Sequence, residues 1–475
     1  MRRSAPAITA VLLATLAAAP AADAASRLVI KGRGYGHGIG MSQYGAYGYA
    51  QHGFGYRDIL SRYYQDTALK TLSPAPTVRV LLQGGRRAVV TGMAAAGQKK
   101  LNPVSTYSVT RSGGRVALWS PRGRKLLTAD APLRLAPPRG AAFVLKGRAA
   151  NGVTSGRYRG ALEVRPSGSG VMAVNALALE DYVRGVISAE SPASWPADAL
   201  RAQAVAARTY AITTRAGGQA FDQYADVRSQ MYKGVAAEFP STDAAVRDTS
   251  GEVVTQSGTP VVTYFFSTSG GHTENVENSF IGSLPKLWLR GVDDPFDDAS
   301  PKHTWGPIRL TARQAQAKLR GFVRGSFRGI KVTQRGVSPR VVRAEVVGTG
   351  GVTQVTGPQL RARLGLNDTW ATFTYVSSDA EKKQDPPADQ EPADDGTGGV
   401  EPAAAAARPG MELRGRIDRA RAGARLRVQR RDGRRWRTVG EATVGRGGRY
   451  VADVPTHGTY RVVWGDVAGP AVRVR

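Results

Sequence analysis

Two apolar helical patterns that meet at a proline-bounded junction constrain the fold of this chain most strongly. In the first pattern the apolar positions recur at helical spacing: Leu179, Val183, Val186 and Ile187. This spacing predicts one helix over residues 179–190. Pro192 disfavours helical backbone at the residue before it, so the helix should end near Glu190.

The second pattern follows at once. Trp195-Pro196 is a helix-start signal, because proline is tolerated in the first turn. An apolar stripe then continues along the chain: Leu200, Ala204, Ala207 and Ala211. We therefore expect two helices that flank Glu190.

Glu190 lies on the apolar face of the first helix, where a carboxyl group needs a partner or a function. Loss of solvent raises the pKa of such a carboxyl, so that it can hold a proton near neutral pH, as a general acid must. The alternative is an ion pair with one of the many arginines that only stabilises the helix end.

Three blocks in this order resemble the core of the SpoIID/LytB family of cell-wall proteins. The blocks are residues 174–186, 189–196 and 200–211. Further segments agree with the family pattern, and the resemblance covers most of residues 28–376: Tyr158-Arg159-Gly160, residues 266–274, and residues 357–366.

The resemblance implies a lytic transglycosylase that cleaves peptidoglycan glycan strands stripped of their stem peptides. In that chemistry one carboxylic acid protonates the glycosidic oxygen and then helps the muramic acid 6-hydroxyl attack C1, which leaves a 1,6-anhydro end. Ordinary glycoside hydrolysis uses a pair of carboxylates instead. The family's catalytic glutamate corresponds to Glu190. The rival interpretation is a protein that binds glycan without cleaving it and enhances a separate cell-wall amidase.

A glycine-rich block lies near the start of the chain, at residues 32–46. Residues 32–46 alternate glycine with aromatic and polar side chains, yet no glycine stands at the last position of a dinucleotide fingerprint, and no Walker A lysine follows. Such a backbone suits close approach to a sugar, or it forms a tight structural turn. In the family that the chain resembles, the signature block, which here spans residues 32–68, comes last. Its place here indicates a circular permutation that still reaches the cleft.

The resemblance also implies residues that position the sugar: His37, Gln43, Gln203, Arg208, Ser267, His272 and Glu274. Two of them have an alternative, since Gln203 and Arg208 could equally support the Glu190 helix. The last three belong to a polar turn that follows an apolar strand predicted over residues 261–266.

We expect no cofactor. The chain has five histidines and no cysteine, so a closed structural zinc site is not expected, although some family members bind zinc through cysteine. A site from His37, His272 and a carboxylate is the alternative left open. There is no His-Glu-x-x-His motif and no Gly-x-Ser-x-Gly elbow, which excludes the common zinc-protease and serine-hydrolase signatures.

The layout predicts an α+β main domain and a small all-β module. Residues 1–24 read as a secretory signal, and no later stretch approaches the ~20 apolar residues of a membrane span. We expect an exported protein associated with the cell wall. The main domain, 25–376, combines a β-rich part with helices that line a glycan cleft. A Pro, Ala and acid-rich linker, 377–410, leads to a sandwich-like module at 411–475.

The net charge of +29 favours an anionic polymer as partner, and the 411–475 module alone carries 16 arginines against 6 acids. Nucleic acid is not expected, because no nucleic-acid-binding motif occurs and export removes the opportunity. Anionic wall polymers fit better. A solvated basic surface without a partner is the alternative for the module.

Overall fold

The computed structural model describes residues 25–382 and 411–474. The predicted signal segment and residues 383–410 of the predicted linker lie outside the described residues. Helix accounts for 20% and strand for 44%, which confirms the α+β class. No helix in the described part of the chain is long and apolar enough to cross a membrane.

The first half of the described chain is mostly β-structure, and it holds the β-rich part that the sequence predicts for the main domain. Its elements are β1 Ala25–Arg33, β2 Met41–Ser42, α1 Gln43–Gln51, α2 Tyr56–Tyr63, β3 Ala68–Thr71, β4 Thr77–Gly85, β5 Arg87–Thr91, β6 Ala95–Ala96, β7 Lys99–Lys100, β8 Thr106–Ser112, β9 Arg115–Trp119, β10 Lys125–Ala129, β11 Leu133–Ala136, β12 Phe143–Arg148, β13 Thr154–Tyr158, β14 Ala161–Ser167 and β15 Gly170–Ala178.

The helices that carry the predicted site follow, and then a second β-rich region. These elements are α3 Leu179–Arg184, α4 Ile187–Glu190, α5 Ala197–Thr213, β16 Gln223–Tyr224, α6 Pro240–Asp248, β17 Glu252–Gln256, β18 Thr259–Pro260, β19 Phe265–Phe266, α7 Val276–Ser279, β20 Thr304–Thr311, α8 Ala312–Lys318, β21 Phe327–Arg335, β22 Val341–Gly348, β23 Gly351–Thr356, α9 Gly357–Leu364 and β24 Ala371–Lys382.

The C-terminal segment is entirely β-structure apart from a short 3₁₀ turn at Arg446–Gly448. Its strands are β25 Met411–Ile417, β26 Arg425–Asp432, β27 Arg435–Thr443, β28 Arg449–Val454, β29 Gly458–Trp464, β30 Val467–Ala468 and β31 Val472–Val474. Two further 3₁₀ turns lie earlier in the chain, at Gly234–Ala237 and Leu287–Leu289.

Two large antiparallel sheets and the site helices share one core. The six-stranded sheet has the order β10-β9-β8-β5-β12-β13 and the seven-stranded sheet β16-β4-β15-β14-β11-β6-β7. Helix α5 completes this core with one face, to which Leu200 and Ala204 belong. Its opposite face, with Ala202 and Val205, packs in a second core with helices α1 and α2. Because both faces of α5 are covered, its polar side chains are held rigidly at the boundary of the two cores.

A third sheet joins the main domain to the C-terminal segment. Its order is β20-β1-β24-β25-β28, so two C-terminal strands continue a sheet of the main domain. Alternate residues of β1 enter different cores, with Leu28 and Ile30 on one face and Val29 on the other. The linker predicted to begin at residue 377 begins later, because β24 continues to Lys382 and pairs with β25 along that length.

The glycine-rich block lies against the segment that follows residue 263. Strand β2 pairs in parallel with β19, and Tyr35 forms a bridge with Thr268. Of the strand predicted over residues 261–266, only Phe265–Phe266 is a strand. The block is therefore held by a segment distant in sequence, and helix α1 begins within it at Gln43.

Candidate active site

Glu190 is the last residue of helix α4, and Ser191 after it has extended backbone, as the proline signal predicts. Its Oε1 accepts a hydrogen bond from the backbone N–H of Met231 at 2.6 Å. Burial raises the pKa of the Glu190 carboxyl, against the opposing effects of the Met231 N–H, the Gln43 side chain and Lys233. No ion pair among residues 25–382 and 411–474 includes Glu190, so the arginine-pair alternative has no support there.

The prediction of a single helix over residues 179–190 is wrong in one respect. It is divided into α3 and α4 at Gly185, where the backbone packs against Tyr232. A Cβ at Gly185 would lie 2.4 Å from Cε2 of Tyr232 and 3.2 Å from Cα of Gly234. The break turns α4 so that Glu190 meets the segment that contains Met231 and Tyr232.

Gln43 brings the glycine-rich block to Glu190. Its side chain acts on the Glu190 carboxyl in the direction that lowers the pKa of that group, and its Nε2 donates to Oε1 of Gln203 at 3.5 Å. Both glutamines are buried. Ser42 caps helix α1 by accepting the Gly45 N–H, which fixes the first turn that carries Gln43. The structure thus unites three predicted site residues, Glu190, Gln43 and Gln203, from three separate segments.

An aromatic shelf, defined as Tyr44, Tyr47 and Trp195, lies beside this group. Both tyrosine rings stand 5.1 Å from the Trp195 ring, and all three are half-buried. The sequence predicted Trp195 only as a helix-start signal. Its role beside Tyr44 could not be read from sequence, since the two residues come from distant segments. Half-buried aromatic rings of this kind offer apolar faces to sugar rings.

The segment that supplies the Met231 N–H is held by its own network. Gln230 accepts from the Tyr182 hydroxyl at 2.8 Å and donates to the Ala207 carbonyl at 3.3 Å. Tyr182 and Tyr232 stack with ring centroids 5.4 Å apart. Sequence reasoning missed these residues, because a backbone N–H leaves no side-chain signal.

Arg208 supports the helices and does not face the site. Its guanidinium is fully buried and forms a fork with Glu180 of helix α3, at 2.8 and 2.7 Å. It also donates to the Glu252 carbonyl. The fork ties α5 to the helix that precedes Glu190. The supporting role considered for Arg208 is therefore the one that its contacts favour over sugar binding.

Glu274 is also enclosed by protein. Its side chain is fully buried, and its oxygens accept from the Ser338 hydroxyl, from the backbone N–H groups of Val337 and Ser338, and from Asn278. A carboxylate occupied in this way has no oxygen left for a sugar. We correct its predicted role as a substrate contact to one in folding the turn after β19.

His37 and His272 are separate from the Glu190 group in their contacts. His37 accepts the Ile39 N–H at its Nδ1, and its ring packs against those of Tyr264, Phe266 and Phe280. Burial lowers its pKa to about 3, which keeps the ring neutral. It lines a cavity of about 420 Å³ with residues of helix α9. The His272 ring contacts the Thr273 carbonyl and lies 3.5 Å from Asp293.

Ser267 stands next to the aromatic shelf through its backbone, since its carbonyl accepts the Tyr44 N–H at 3.0 Å. Its hydroxyl lies 3.2 Å from that of Thr268. For metals, the described residues hold no group of three His, Cys, Asp or Glu side chains placed to bind an ion, and His37 and His272 do not form one with a carboxylate.

Known proteins resemble this chain over the site helices. A family model described as Stage II sporulation protein, SpoIID, matches residues 167–256. Stage II sporulation protein D of Bacillus subtilis is 30% identical over 211 residues, which are 41% of this chain and 60% of that protein. The amidase enhancer of the same organism is 35% identical over 136 residues, 29% of this chain and 18% of that protein.

Over these segments the chain is similar to proteins of the SpoIID/LytB family. An uncharacterised protein of Brachyspira hyodysenteriae is 40% identical over 133 residues, 27% of this chain and 36% of that protein. The chain thus spans 60% or less of the length of each of these relatives. The segment matched by the SpoIID model contains Glu190, Trp195, Gln203 and Met231 but not Gln43. The glycine-rich block therefore completes the site from outside the matched segment.

Proposed function

We propose that the protein is a lytic transglycosylase that cleaves peptidoglycan glycan strands stripped of stem peptides, with Glu190 as its single acid/base. One observation carries the proposal: the half-buried Glu190 carboxyl, whose pKa burial raises, accepts the Met231 N–H and has no ion-pair partner among the described residues. A carboxyl in that state can donate a proton near neutral pH.

In the proposed reaction, protonated Glu190 gives its proton to the glycosidic oxygen while the bond from that oxygen to C1 breaks. The resulting carboxylate accepts the hydrogen bond of the Met231 N–H, and the nearby Gln43 side chain also favours the charged form. It then takes the proton of the muramic acid 6-hydroxyl as that oxygen bonds to C1. The acid is restored, and a 1,6-anhydro end forms without water as a reactant.

The aromatic shelf is the proposed surface for the neighbouring sugar. Gln43 and Gln203 are proposed to orient the carboxyl and to contact the glycan, with Ser267 at the edge of the shelf. The apolar run near the N-terminus supports export, and we propose a cell-wall location. Similarity to SpoIID-family proteins over the site helices supports a role in cell-wall remodelling.

The test is product chemistry. The mature protein, residues 25–475, is incubated with intact and amidase-stripped glycan strands, and the products are analysed by mass spectrometry. We expect anhydro-muramic ends from stripped strands, and a rate reduced by ~10²–10⁴-fold in Glu190→Gln. Glu441→Gln, an exposed site in the C-terminal segment, is the matched control. Cleavage that persists in folded Glu190→Gln would refute the role of Glu190.

A second candidate follows from the relative named amidase enhancer. In this case the same cleft holds glycan without cleaving it, and the protein accelerates a separate amidase. Strands that are bound but not cleaved, together with a faster amidase in the same mixture, would favour this candidate over the transglycosylase.

A further inference from the structure

Two cavities whose linings include no residue of the Glu190 group are rich in cationic side chains. The larger, about 830 Å³, lies between β1, α8 and the segment before β31, and no acidic side chain lines it. The smaller, about 620 Å³, lies along β21 beside β25, and Asp418 is the one acid in its lining. Both cavities include Arg328, so they adjoin. We call the pair the arginine groove; its unpaired cations are Arg27, Arg313, Arg320, Arg328, Arg335 and Arg419.

These arginines lack the carboxylate partners that usually neutralise such groups. Arg313, Arg320 and Arg328 are exposed, and none pairs with a carboxylate among the described residues. Asp418 is engaged by Arg416 at 3.1 Å, which leaves Arg419 without it. The positive charge of the groove is therefore uncompensated within the part of the chain that the structure describes.

The positive charges of the two half-buried arginines in the groove, Arg27 and Arg335, are disfavoured by their surroundings. Burial and the nearby charge of Arg309 lower the pKa of Arg27, and burial and Arg419 lower that of Arg335. Both guanidinium groups bond only to backbone carbonyls. Repulsion between arginines held together by the fold is relieved when an anion binds between them.

We propose that the arginine groove binds a flexible phosphodiester polymer that carries no aromatic bases. Guanidinium groups form paired hydrogen bonds with phosphate oxygens, and two adjoining cavities suit a chain with repeated charges better than a single anion. The aromatic residues in the lining, Phe327, Phe373 and Tyr375, are buried at its floor, so none is free to stack on a nucleobase. The concave shape does not fit a flat lipid surface.

The groove is separate from the glycan site. Its strands belong to the cores that contain Leu28 and Val29, whereas Glu190 stands on helices of the other two cores. Binding of the polymer is therefore expected to be independent of glycan cleavage. If the transglycosylase proposal fails, the groove proposal is unaffected. If the groove proposal fails, the transglycosylase proposal is equally unaffected.

The experiment measures binding of a labelled poly(glycerol phosphate) chain to residues 25–475 over a range of salt concentrations. The test variant is Arg313→Gln/Arg320→Gln/Arg328→Gln. The control is Arg122→Gln/Arg124→Gln/Arg139→Gln, which removes the same charge from exposed positions of the six-stranded-sheet region and its neighbouring loops. We expect Kd to rise at least ~10-fold in the test variant, and the slope of log Kd against log salt to fall by about 2 to 3.

The control variant should change Kd by less than ~2-fold. Equal weakening in both variants would overturn the proposal, because net charge alone would then explain binding. It would also be overturned if a DNA duplex with the same number of phosphates, or vesicles of anionic lipid, bound more tightly through the same three arginines. Unfolding curves and glycan cleavage, measured for each variant, separate lost binding from lost folding.

Discussion

Glu190 shows how one carboxyl is tuned by opposing contacts. Burial favours its neutral form, while the Met231 N–H, the Gln43 side chain and Lys233 favour the charged form, and burial has the largest effect. The acid is thus protonated to a higher pH than an exposed glutamate, yet its carboxylate has hydrogen-bond donors in place. Both states are needed if one group is to act first as acid and then as base.

The pH dependence of cleavage follows from the raised pKa of Glu190. Because the proton must be present at the start, we expect the rate to fall as pH rises through the raised pKa of Glu190. Gln43→Leu removes a donor that stabilises the carboxylate, so it should move this fall to higher pH and reduce the rate. Rates measured from pH 4 to 9 check both points. A fall at lower pH in Gln43→Leu would contradict the proposed contact.

Asp294 provides a stability prediction that is independent of catalysis. It is buried beside Asp297 and accepts from the Tyr63 hydroxyl at 2.7 Å. Burial and the charge of Asp297 raise its pKa from 3.8 to about 6. The folded state then binds this proton more tightly than the unfolded state does. Its contribution to stability is complete below pH 4 and is lost as pH rises through 6.

Asp294→Asn keeps the shape and removes the charge. We expect the free energy of unfolding to rise by up to about 3 kcal/mol at pH 8, with little change at pH 4. Asp297→Asn is the contrasting control, since Asp297 accepts from the Gly270 N–H and contacts His303, and it should destabilise the fold. Urea unfolding at both pH values measures the effect. A loss of stability confined to pH 8 in Asp294→Asn would refute the argument.

The helix elements mark the limit of what the sequence predicts. The end at Glu190 is confirmed, because proline acts on its immediate neighbours. Helix α5 begins at Ala197, with Pro196 as its N-cap and not within its first turn. The break at Gly185 was not predicted. It is imposed by Tyr232, far along the chain, and local apolar spacing carries no information about that contact. The Met231 N–H is unpredictable for the same reason.

Gly185→Ala tests the break between α3 and α4. Its φ of −75° suits any residue, so the cost comes from the collision of Cβ with Tyr232. We expect a loss of about 1 to 3 kcal/mol in unfolding free energy. Cleavage should also slow, because Tyr232 adjoins Met231. Gly84→Ala, in an open position on β4, is the control and should be neutral in both measurements. Wild-type activity in Gly185→Ala would contradict the proposed link.

The aromatic shelf predicts an effect on binding without an effect on the acid. Trp195→Ala removes the ring that both tyrosines contact, and we expect KM to rise by ~5–10-fold, from about 1 kcal/mol of lost ring contact. The pH at which the rate falls should not move. Trp436→Ala, in the C-terminal sheet, should leave KM unchanged. A change in kcat alone for Trp195→Ala would place the shelf outside the glycan path.

At the scale of the whole molecule, composition predicted the class of each segment better than it predicted how the segments pair and pack. The acidic, proline-rich stretch was predicted as a linker to a small all-β module, and the segment beyond it contains strands such as β26 and β29. Strand alternation specifies which face is buried but not which strand is the neighbour. The pairing of β24 with β25, which continues the sheet of the main domain, could therefore not be predicted from the sequence.

This shared sheet predicts that the C-terminal segment is part of the folding unit. Strands β24 and β25 pair from Val376 opposite Ile417 to Lys382 opposite Met411, and Val29 and Val376 enter the core of the C-terminal strands. If a protease site replaces Gly398-Gly399 and is cut, we expect the two pieces to stay together in gel filtration and to unfold in one transition.

Residues 25–382 expressed alone test the same point. Without β25 the edge of β24 and the apolar face of Val29 become exposed, and such an edge promotes aggregation. We expect this fragment to unfold at a lower temperature than the cut full-length protein or to aggregate. Separation of the cut pieces, with a fragment 25–382 as stable as the whole, would show that the segment is an independent module.

The fragment 25–382 also lacks three residues that line the arginine groove: Arg416, Asp418 and Arg419. Polymer binding by this fragment therefore measures how much of the groove depends on the joined sheet.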